Sequence, residues 1–217
     1  MLQHIIWDWN GTLLDDAAAC VAALNVLLQR RGLPPVTPAD YQRDFAFPVQ
    51  AYYRRLGFDF SREDWDALAA EYHAAYAVTS ARAPLRRGAR AVLRVLRQRD
   101  CVLSVLSACE INLLRRMMRE RGVLEHFDHV YGRTDLYAHS KLELGHGLLA
   151  GAGLAPEVTL LVGDTTHDFE VARALGCACL LVPGGHQDLA RLRSCGCPIV
   201  SDLEEVVAYA GAGYRPR

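Results

Sequence analysis

Carboxylate, amide and hydroxyl side chains follow the first apolar run of the sequence at close spacing. The run Ile5–Trp7 is followed directly by Asp8, and Asn10, Gly11 and Thr12 come next. An aspartate at the end of a buried strand lies where open α/β sheets bind ligands, although the same residue types also form ordinary polar turns. The remaining polar residues of the chain are needed to decide between these two interpretations.

Similar groups stand at the ends of later apolar runs. Ser107 ends one run, Lys141 opens a helical pattern, and Asp164 and Asp168 follow another run. Each residue alone also has a structural explanation, as a helix cap or a solvated lysine. Because the carboxyl ends of parallel strands meet at one edge of a sheet, together these residues predict a shared site there.

The chemistry of this set is that of phosphoryl transfer. Asp8, Asp164 and Asp168 could hold an oxygen-seeking cation such as Mg²⁺, without which three carboxylates would repel one another. The cation and Lys141 could neutralise a phosphate, while Ser107 and backbone N–H groups bind its oxygens. Asp8 would then attack phosphorus and form an aspartyl-phosphate.

The pattern of elements predicts an α/β fold, a Rossmann-like doubly wound parallel sheet with an inserted all-helical domain. The core domain comprises residues 1–14 and 80–217, and residues 15–79 form the helical cap domain. Short apolar runs alternate with helices in the second part of the chain, which is typical of a parallel sheet covered on both faces. Strands after the first are predicted at 101–106, 130–131, 159–162, 178–182 and, as an edge strand, 199–200.

Four helices are predicted in the inserted segment, and one of them runs from Pro48 to about Leu56. Asp15 and Asp16 supply the negative charge that a helix N-terminus favours. Thr37 with Pro38 is typical of an N-cap followed by a proline in the first turn. The segment Ser61–Asp64 resembles a capping box and predicts a helix that runs to about residue 78.

The bulk properties exclude several classes of protein. The 217 residues include 24 basic and 25 acidic side chains, so no nucleic-acid partner is predicted. We find neither a signal peptide nor a run of about eighteen apolar residues, which predicts a cytoplasmic protein without a membrane partner. The seven cysteines are predicted to be reduced, and a zinc site is disfavoured because the paired cysteines are too closely spaced.

Four motifs resemble those of the haloacid dehalogenase-like superfamily of Mg²⁺-dependent phosphatases. Residues 8–13 resemble its first motif, Ser107 the second, Lys141 the third and residues 162–168 the fourth. The helical segment resembles the cap of the phosphoglycolate phosphatase-like branch. The resemblance implies catalytic roles for Asp8, Asn10 and Lys141, phosphate binding by Gly11, Thr12, Ser107 and Ala108, and metal binding by Asp8, Asn10, Asp164 and Asp168.

One position departs from the pattern of the family. The first motif usually has a second aspartate two residues after the nucleophile, which acts as acid and base, and here that residue is Asn10. Its backbone carbonyl can still bind the metal, but its amide cannot transfer a proton near neutral pH. If only the proton transfer is missing, Asn10→Asp should raise activity toward poor leaving groups most.

The departure leaves four alternatives. The leaving group is acidic enough to depart unassisted, or another residue such as His167, His186 or Tyr53 transfers the proton. Alternatively, Asn10 is an introduced substitution that traps a complex, or the protein is a phospho-ligand sensor with little turnover.

Substrate choice in this branch lies in the cap. Arg43, Tyr53 and Arg54 could meet a carboxylate or second phosphate of the substrate. The alternative is that the aromatic side chain packs between helices and the arginines are solvated. The modest cap predicts a small phosphorylated metabolite, phosphoglycolate-like, as the partner of a monomer or homodimer.

Overall fold

Five parallel strands form the centre of the molecule. The computed structural model describes residues 2–134 and 141–211. The strand order is β3-β2-β1-β4-β5, and every neighbouring pair is parallel. This confirms the predicted doubly wound α/β fold. The strands are β1 (His4–Trp7), β2 (Val102–Glu110), β3 (His129–Arg133), β4 (Thr159–Gly163) and β5 (Ala178–Leu181).

Helices cover both faces of this sheet. Their bounds are α1 (Ala17–Arg30), α2 (Pro38–Asp44), α3 (Val49–Arg55), α4 (Trp65–Thr79), α5 (Ala89–Arg97), α6 (Ile111–Glu120), α7 (Lys141–Ala152), α8 (Thr166–Leu175), α9 (Leu189–Arg193) and α10 (Glu204–Gly211). Successive side chains of a strand point to opposite faces. Accordingly, Ile5 and Trp7 join the apolar cluster of α5, α6 and α10, whereas Ile6 joins that of α7 and α8.

The central position of β1 determines where Asp8 lies. All four residues of β1 are buried, and Trp7 pairs with Val105 of β2 and Val162 of β4. The backbone N–H of Asp8 donates to the carbonyl of Val162 at 2.9 Å, which extends the ladder by one residue. The carboxylate therefore emerges at the carboxyl edge in the middle of the sheet.

Helices α1–α4 have an apolar cluster of their own. We call this segment, Ala17–Thr79, the helical block. Its buried residues include Leu24 and Leu27 of α1 and Leu68 and Tyr76 of α4. Antiparallel pairing of Leu14 with Leu85 brings the chain leaving the sheet beside the chain returning to it. The block is thus inserted immediately after Asp8.

Three details differ from the predictions. Helix α4 begins at Trp65 with Asp64 as its cap, because the Asp64 carboxylate accepts from the N–H of Ala67 at 2.9 Å. Strand β2 continues beyond Ser107 to Glu110, and its register is irregular after Leu106. Ile199 forms only an isolated bridge to Leu181, so the described residues contain no 199–200 edge strand.

The cap of α2 is as predicted, since the Thr37 hydroxyl accepts from the N–H of Asp40 at 3.1 Å. Across the described residues we find no helix with the length and apolar character that a membrane span requires.

Candidate active site

Three buried carboxylates converge at the carboxyl edge of the sheet. Asp8 follows β1, Asp164 follows β4, and Asp168 lies in the first turn of α8. One oxygen from each lies within 4.8 Å of the others. The predicted grouping of these residues is therefore present in the structure.

Neighbouring donors hold Asp164 in place. The Thr12 hydroxyl donates to Asp164 Oδ1 at 2.7 Å and lies 3.2 Å from Asp8 Oδ2. The backbone N–H of His186 donates to Asp164 Oδ2 at 2.7 Å. The Thr12 hydroxyl thus contacts both carboxylates, and its predicted role in phosphate binding stays a prediction.

Asp168 has a different environment. Its Oδ2 accepts from the N–H and hydroxyl of Thr165 at 3.0 and 2.6 Å, which forms a capping box at the start of α8. Its Oδ1 accepts from Lys141 Nζ at 2.6 Å. Both oxygens are engaged, so Asp168 orients the lysine as well as adding charge to the site.

Lys141 is the buried ammonium of this site. Its Nζ donates to both Asp8 and Asp168, and only 8% of the residue is exposed. Burial raises the pKa of Asp8 to about 8, with Asp168 and Asp164 adding to the rise and Lys141 opposing it. Three carboxylates share this buried site with one ammonium, and these hard oxygen donors fit Mg²⁺.

Gly11 is required by the close approach of the first loop to this cluster. Its φ is +75°, a left-handed conformation that side chains disfavour. A Cβ at this position would lie 2.3 Å from Asp164 Oδ2. The Gly11 N–H donates to Asp16 Oδ1 at 2.8 Å and is therefore already engaged within the protein.

The irregular end of β2 brings two predicted phosphate-binding residues to the site. Ser107 and Ala108 line the same cavity as Asp8. The Ser107 hydroxyl accepts from the N–H of Cys109 at 3.1 Å and lies 3.4 Å from Asn10 Oδ1. Ser107 and Ala108 therefore lie beside the first loop, on the wall of the cavity that contains Asp8.

A buried network around Asn10 was not foreseen from the sequence. Asp16 is fully buried, and its Oδ2 accepts from Asn10 Nδ2 at 2.8 Å and from the Tyr76 hydroxyl at 2.6 Å. Asn10 Nδ2 also donates to the Tyr76 hydroxyl at 2.8 Å. Because a carboxylate only accepts, the amide nitrogen of Asn10 must face Asp16.

The sequence offered one weak signal for this network, the doublet Asp15–Asp16 at the start of α1. Asp16 occupies the N-cap position but makes no side-chain cap hydrogen bond. Its carboxylate instead turns toward Asn10, a contact that depends on the turn after β1 and on Tyr76 of α4.

His186 completes this network from the loop after β5. Its Nε2 lies 3.4 Å from Asp16 Oδ1, and its Nδ1 lies 3.0 Å from the Tyr41 hydroxyl. Burial would lower the pKa of His186, but Asp16 raises it to about 9. His186 and other hydrogen-bond partners hold the pKa of Asp16 at about 2 despite its burial. The two residues form a buried ion pair.

The ion pair predicts a pH-dependent stability. The pKa of His186 rises from 6.5 to about 9 on folding. Its contribution to the stability of the folded protein is therefore fully present below pH 6.5 and is lost as the pH rises to 9. In metal-free buffer near pH 6, we expect the free energy of unfolding of wild type to exceed that of His186→Gln by up to about 3 kcal/mol. Urea unfolding should show this difference shrinking as the pH rises to 9.

Val78→Ala is a control without a titratable group, since Val78 is an exposed residue of α4. We expect the difference in free energy of unfolding between this variant and wild type to stay constant over the same pH range. A constant difference between wild type and His186→Gln would contradict the ion pair.

The predicted substrate residues do not all reach the site. Tyr53, like His167, lines the cavity above Asp8. Arg43 instead pairs with Asp40 and Asp44 at the surface. The Arg54 guanidinium lies 5.3 Å from the centre of the Phe60 ring. Neither arginine is brought to the cavity in this conformation.

Comparison with known proteins identifies the family. A family model described as haloacid dehalogenase-like hydrolase matches residues 5–182, which contain all four motifs. The chain belongs to the haloacid dehalogenase-like hydrolases. This confirms the resemblance drawn from the sequence and the assignment as a hydrolase.

Relatives of this hydrolase carry several names. The phosphoglycolate phosphatase of Synechococcus elongatus is 27% identical over 91% of this chain and 91% of its own. The 5′-nucleotidase of Pseudomonas aeruginosa is 29% identical over 88% of this chain and 87% of its own. The structure of protein tyrosine kinase A of Mycobacterium tuberculosis is 25% identical with a TM-score of 0.81, covering 97% of this chain and 99% of that one. One fold thus carries different named activities, and the site must decide between them.

Proposed function

We propose that this hydrolase is a Mg²⁺-dependent phosphatase that acts on a small phosphorylated metabolite through an aspartyl-phosphate on Asp8. The observation that carries the proposal is the convergence of Asp8, Asp164, Asp168 and Lys141. Of these residues, Asp8, Asp168 and Lys141 line one cavity. The names of two relatives, a phosphoglycolate phosphatase and a 5′-nucleotidase, support the same class of reaction.

Asp8, Lys141 and Ser107 each have a separate role in the proposed reaction. The Asp8 carboxylate attacks phosphorus, and the bond from phosphorus to the leaving oxygen breaks. Lys141 offsets charge on the phosphoryl oxygens, and the Ser107 hydroxyl donates to one of them. The leaving oxygen takes up a proton from solvent. Water then attacks the phosphorus of the aspartyl-phosphate, the bond from phosphorus to the Asp8 oxygen breaks, and inorganic phosphate and the free Asp8 carboxylate are formed. The proton of this water goes to solvent or to a group other than Asn10, whose amide takes none near neutral pH.

Asp8, Asp164 and the backbone carbonyl of Asn10 would hold Mg²⁺, with Asp168 adjacent. The bound cation would supply positive charge to the phosphoryl group as negative charge develops there. The excess of carboxylate over ammonium in this buried site supports this assignment.

We further propose that residues 15–79 act as a cap domain over the core formed by residues 1–14 and 80–217. Contacts beside the site support this role. Gln42 Nε2 donates to the carbonyl of Gly185 at 2.8 Å, and Gln187 Nε2 donates to that of Phe45 at 3.1 Å. Closure of this kind excludes water from the reacting groups.

Removal of Mg²⁺ tests the proposed chemistry. We expect purified protein to release phosphate from acetyl phosphate, p-nitrophenyl phosphate or 2-phosphoglycolate in Mg²⁺, and EDTA to abolish the release. Excess Mg²⁺ added afterwards should restore the rate, which controls for damage by the chelator. Turnover that persists in EDTA would contradict the metal requirement.

The same measurement addresses the alternative of a phospho-ligand sensor. Chelator-sensitive turnover of any ester in the panel would exclude it. A protein that binds these esters but hydrolyses none would contradict the proposed phosphatase.

A further inference from the structure

The cavity above Asp8 has an aromatic wall. Its volume is about 260 Å³, and Asp8, Lys141 and Ser107 lie at one side of it. The helical block forms the opposite side. Seven aromatic residues of the block contribute to this wall: Tyr41, Phe45, Phe47, Tyr53, Trp65, Tyr72 and Tyr76.

These rings support one another. The centroids of Phe45 and Phe47 lie 5.3 Å apart, and that of Tyr53 lies 5.9 Å from Trp65 and 6.4 Å from Tyr72. All three pairs are edge-to-face, a favourable arrangement for aromatic side chains. The wall is therefore held in place before a ligand enters and can extend the same packing to a further ring.

The charges of the cavity are distributed unevenly. Among the described residues that line it, the helical block contributes no lysine or arginine. Burial, together with nearby Arg133, lowers the pKa of His73, so this histidine of the wall is neutral at pH 7. A carboxylate on the substrate would thus meet rings rather than a cation on this side.

Arg133, at the end of β3, also lines the cavity. Arg133 is a competing binding group, because its guanidinium could bind a substrate carboxylate. A ligand that carries a ring and one that carries a carboxylate must therefore be compared directly.

We propose that the substrate is a phosphate monoester whose leaving group carries an aromatic ring, in preference to a carboxylate-bearing ester such as phosphoglycolate. The proposal rests on the proposed phosphatase function, which places the phosphoryl group beside Asp8. A cavity of about 150 Å³ holds benzene. The 260 Å³ present here leaves additional space for the phosphoryl group.

Two non-hydrolysable phosphonates provide the matched test. 2-Phenylethylphosphonate and 3-phosphonopropionate differ only in the phenyl or carboxylate group at the end of the same chain. We expect calorimetry in Mg²⁺ to show the phenyl compound binding wild type about 10- to 100-fold more tightly, the gain from burying a ring. Equal affinity, or tighter binding of the carboxylate, would overturn the proposal, and the latter would point to Arg133.

Turnover separates this proposal from the phosphatase assignment. Benzyl phosphate and 2-phosphoglycolate are the corresponding esters, and we expect kcat/KM to favour benzyl phosphate. A preference for 2-phosphoglycolate would contradict the proposed aromatic substrate but would agree with the proposed phosphatase activity. If no ester is hydrolysed, the proposed phosphatase activity is wrong. The ratio of the phosphonate affinities would still show whether the cavity binds a ring more tightly than a carboxylate.

A substitution in the wall provides a second measurement. Phe47 is 40% exposed, so Phe47→Ala should fold, and we expect it to reduce the phenyl-to-carboxylate affinity ratio several-fold. Val78→Ala is the control, because Val78 is 77% exposed on the same block and does not line the cavity. If wild type prefers the phenyl compound and Phe47→Ala leaves the affinity ratio unchanged, the aromatic wall is overturned as the determinant of that preference.

Discussion

Asp8→Asn should abolish phosphate release, lowering kcat by about 10⁴-fold or more, as expected when a nucleophile is removed. The amide has nearly the shape of the carboxylate but cannot attack phosphorus. Lys141 would keep its ion pair with Asp168, so the site should retain its shape. Steady-state phosphate release measures the effect.

Acid quenching during turnover provides a second readout for this substitution. A phosphorylated protein should be trapped from wild type and be absent from Asp8→Asn. Asp15→Asn is the matched control, since Asp15 is an exposed aspartate of the same segment and should leave kcat unchanged. Full activity of Asp8→Asn would show that another residue is the nucleophile.

Asn10→Asp is the second large effect, and here the structure predicts a loss of stability in addition to the change in activity expected from the sequence. The new carboxylate would take the place of an amide nitrogen that lies 2.8 Å from Asp16 Oδ2. Two buried carboxylates at this distance repel each other, and the hydrogen bond between them is lost unless one takes up a proton. We expect a loss of about 3–5 kcal/mol in the free energy of unfolding near pH 8.

The pH dependence of this loss identifies its cause. The cost should become smaller toward pH 5, because protonation of one carboxylate restores a donor. Urea unfolding of wild type and variant at both pH values measures the difference. Unchanged stability, together with faster hydrolysis of alkyl phosphates, would instead support the simple restoration of an acid–base residue.

Asn112→Asp is a matched control for this substitution. Asn112 Nδ2 also donates to a carboxylate at 2.8 Å, that of Glu110, but the pair is exposed. We expect Asn112→Asp to lower the free energy of unfolding by less than about 1 kcal/mol, since solvent screens the repulsion between exposed carboxylates. Combining Asn10→Asp with Asp16→Asn removes the repulsion but also removes the carboxylate that pairs with His186, so it should recover only part of the lost stability.

Several features of the protein were determined by its sequence alone. Alternation of short apolar runs with helices predicted the parallel sheet, because strands buried on both faces need apolar side chains throughout. The order of elements located the helical insertion directly after the first strand. Asp8, Ser107 and Asp164, all predicted at strand ends, lie in motifs that resemble those of the family. The structure places Ser107 within β2 instead, three residues before that strand ends at Glu110.

Only the tertiary structure decided which other residues reach that edge. Asp16 looked like an ordinary charge at a helix start, and its role depends on contacts with Asn10 and with Tyr76, sixty positions away. Arg43 looked like a substrate contact but pairs with aspartates on its own helix and at its end. Sequence spacing describes neighbours along the chain, whereas burial and charge pairing in this site join residues from the turn after β1, from α4 and from the loop after β5.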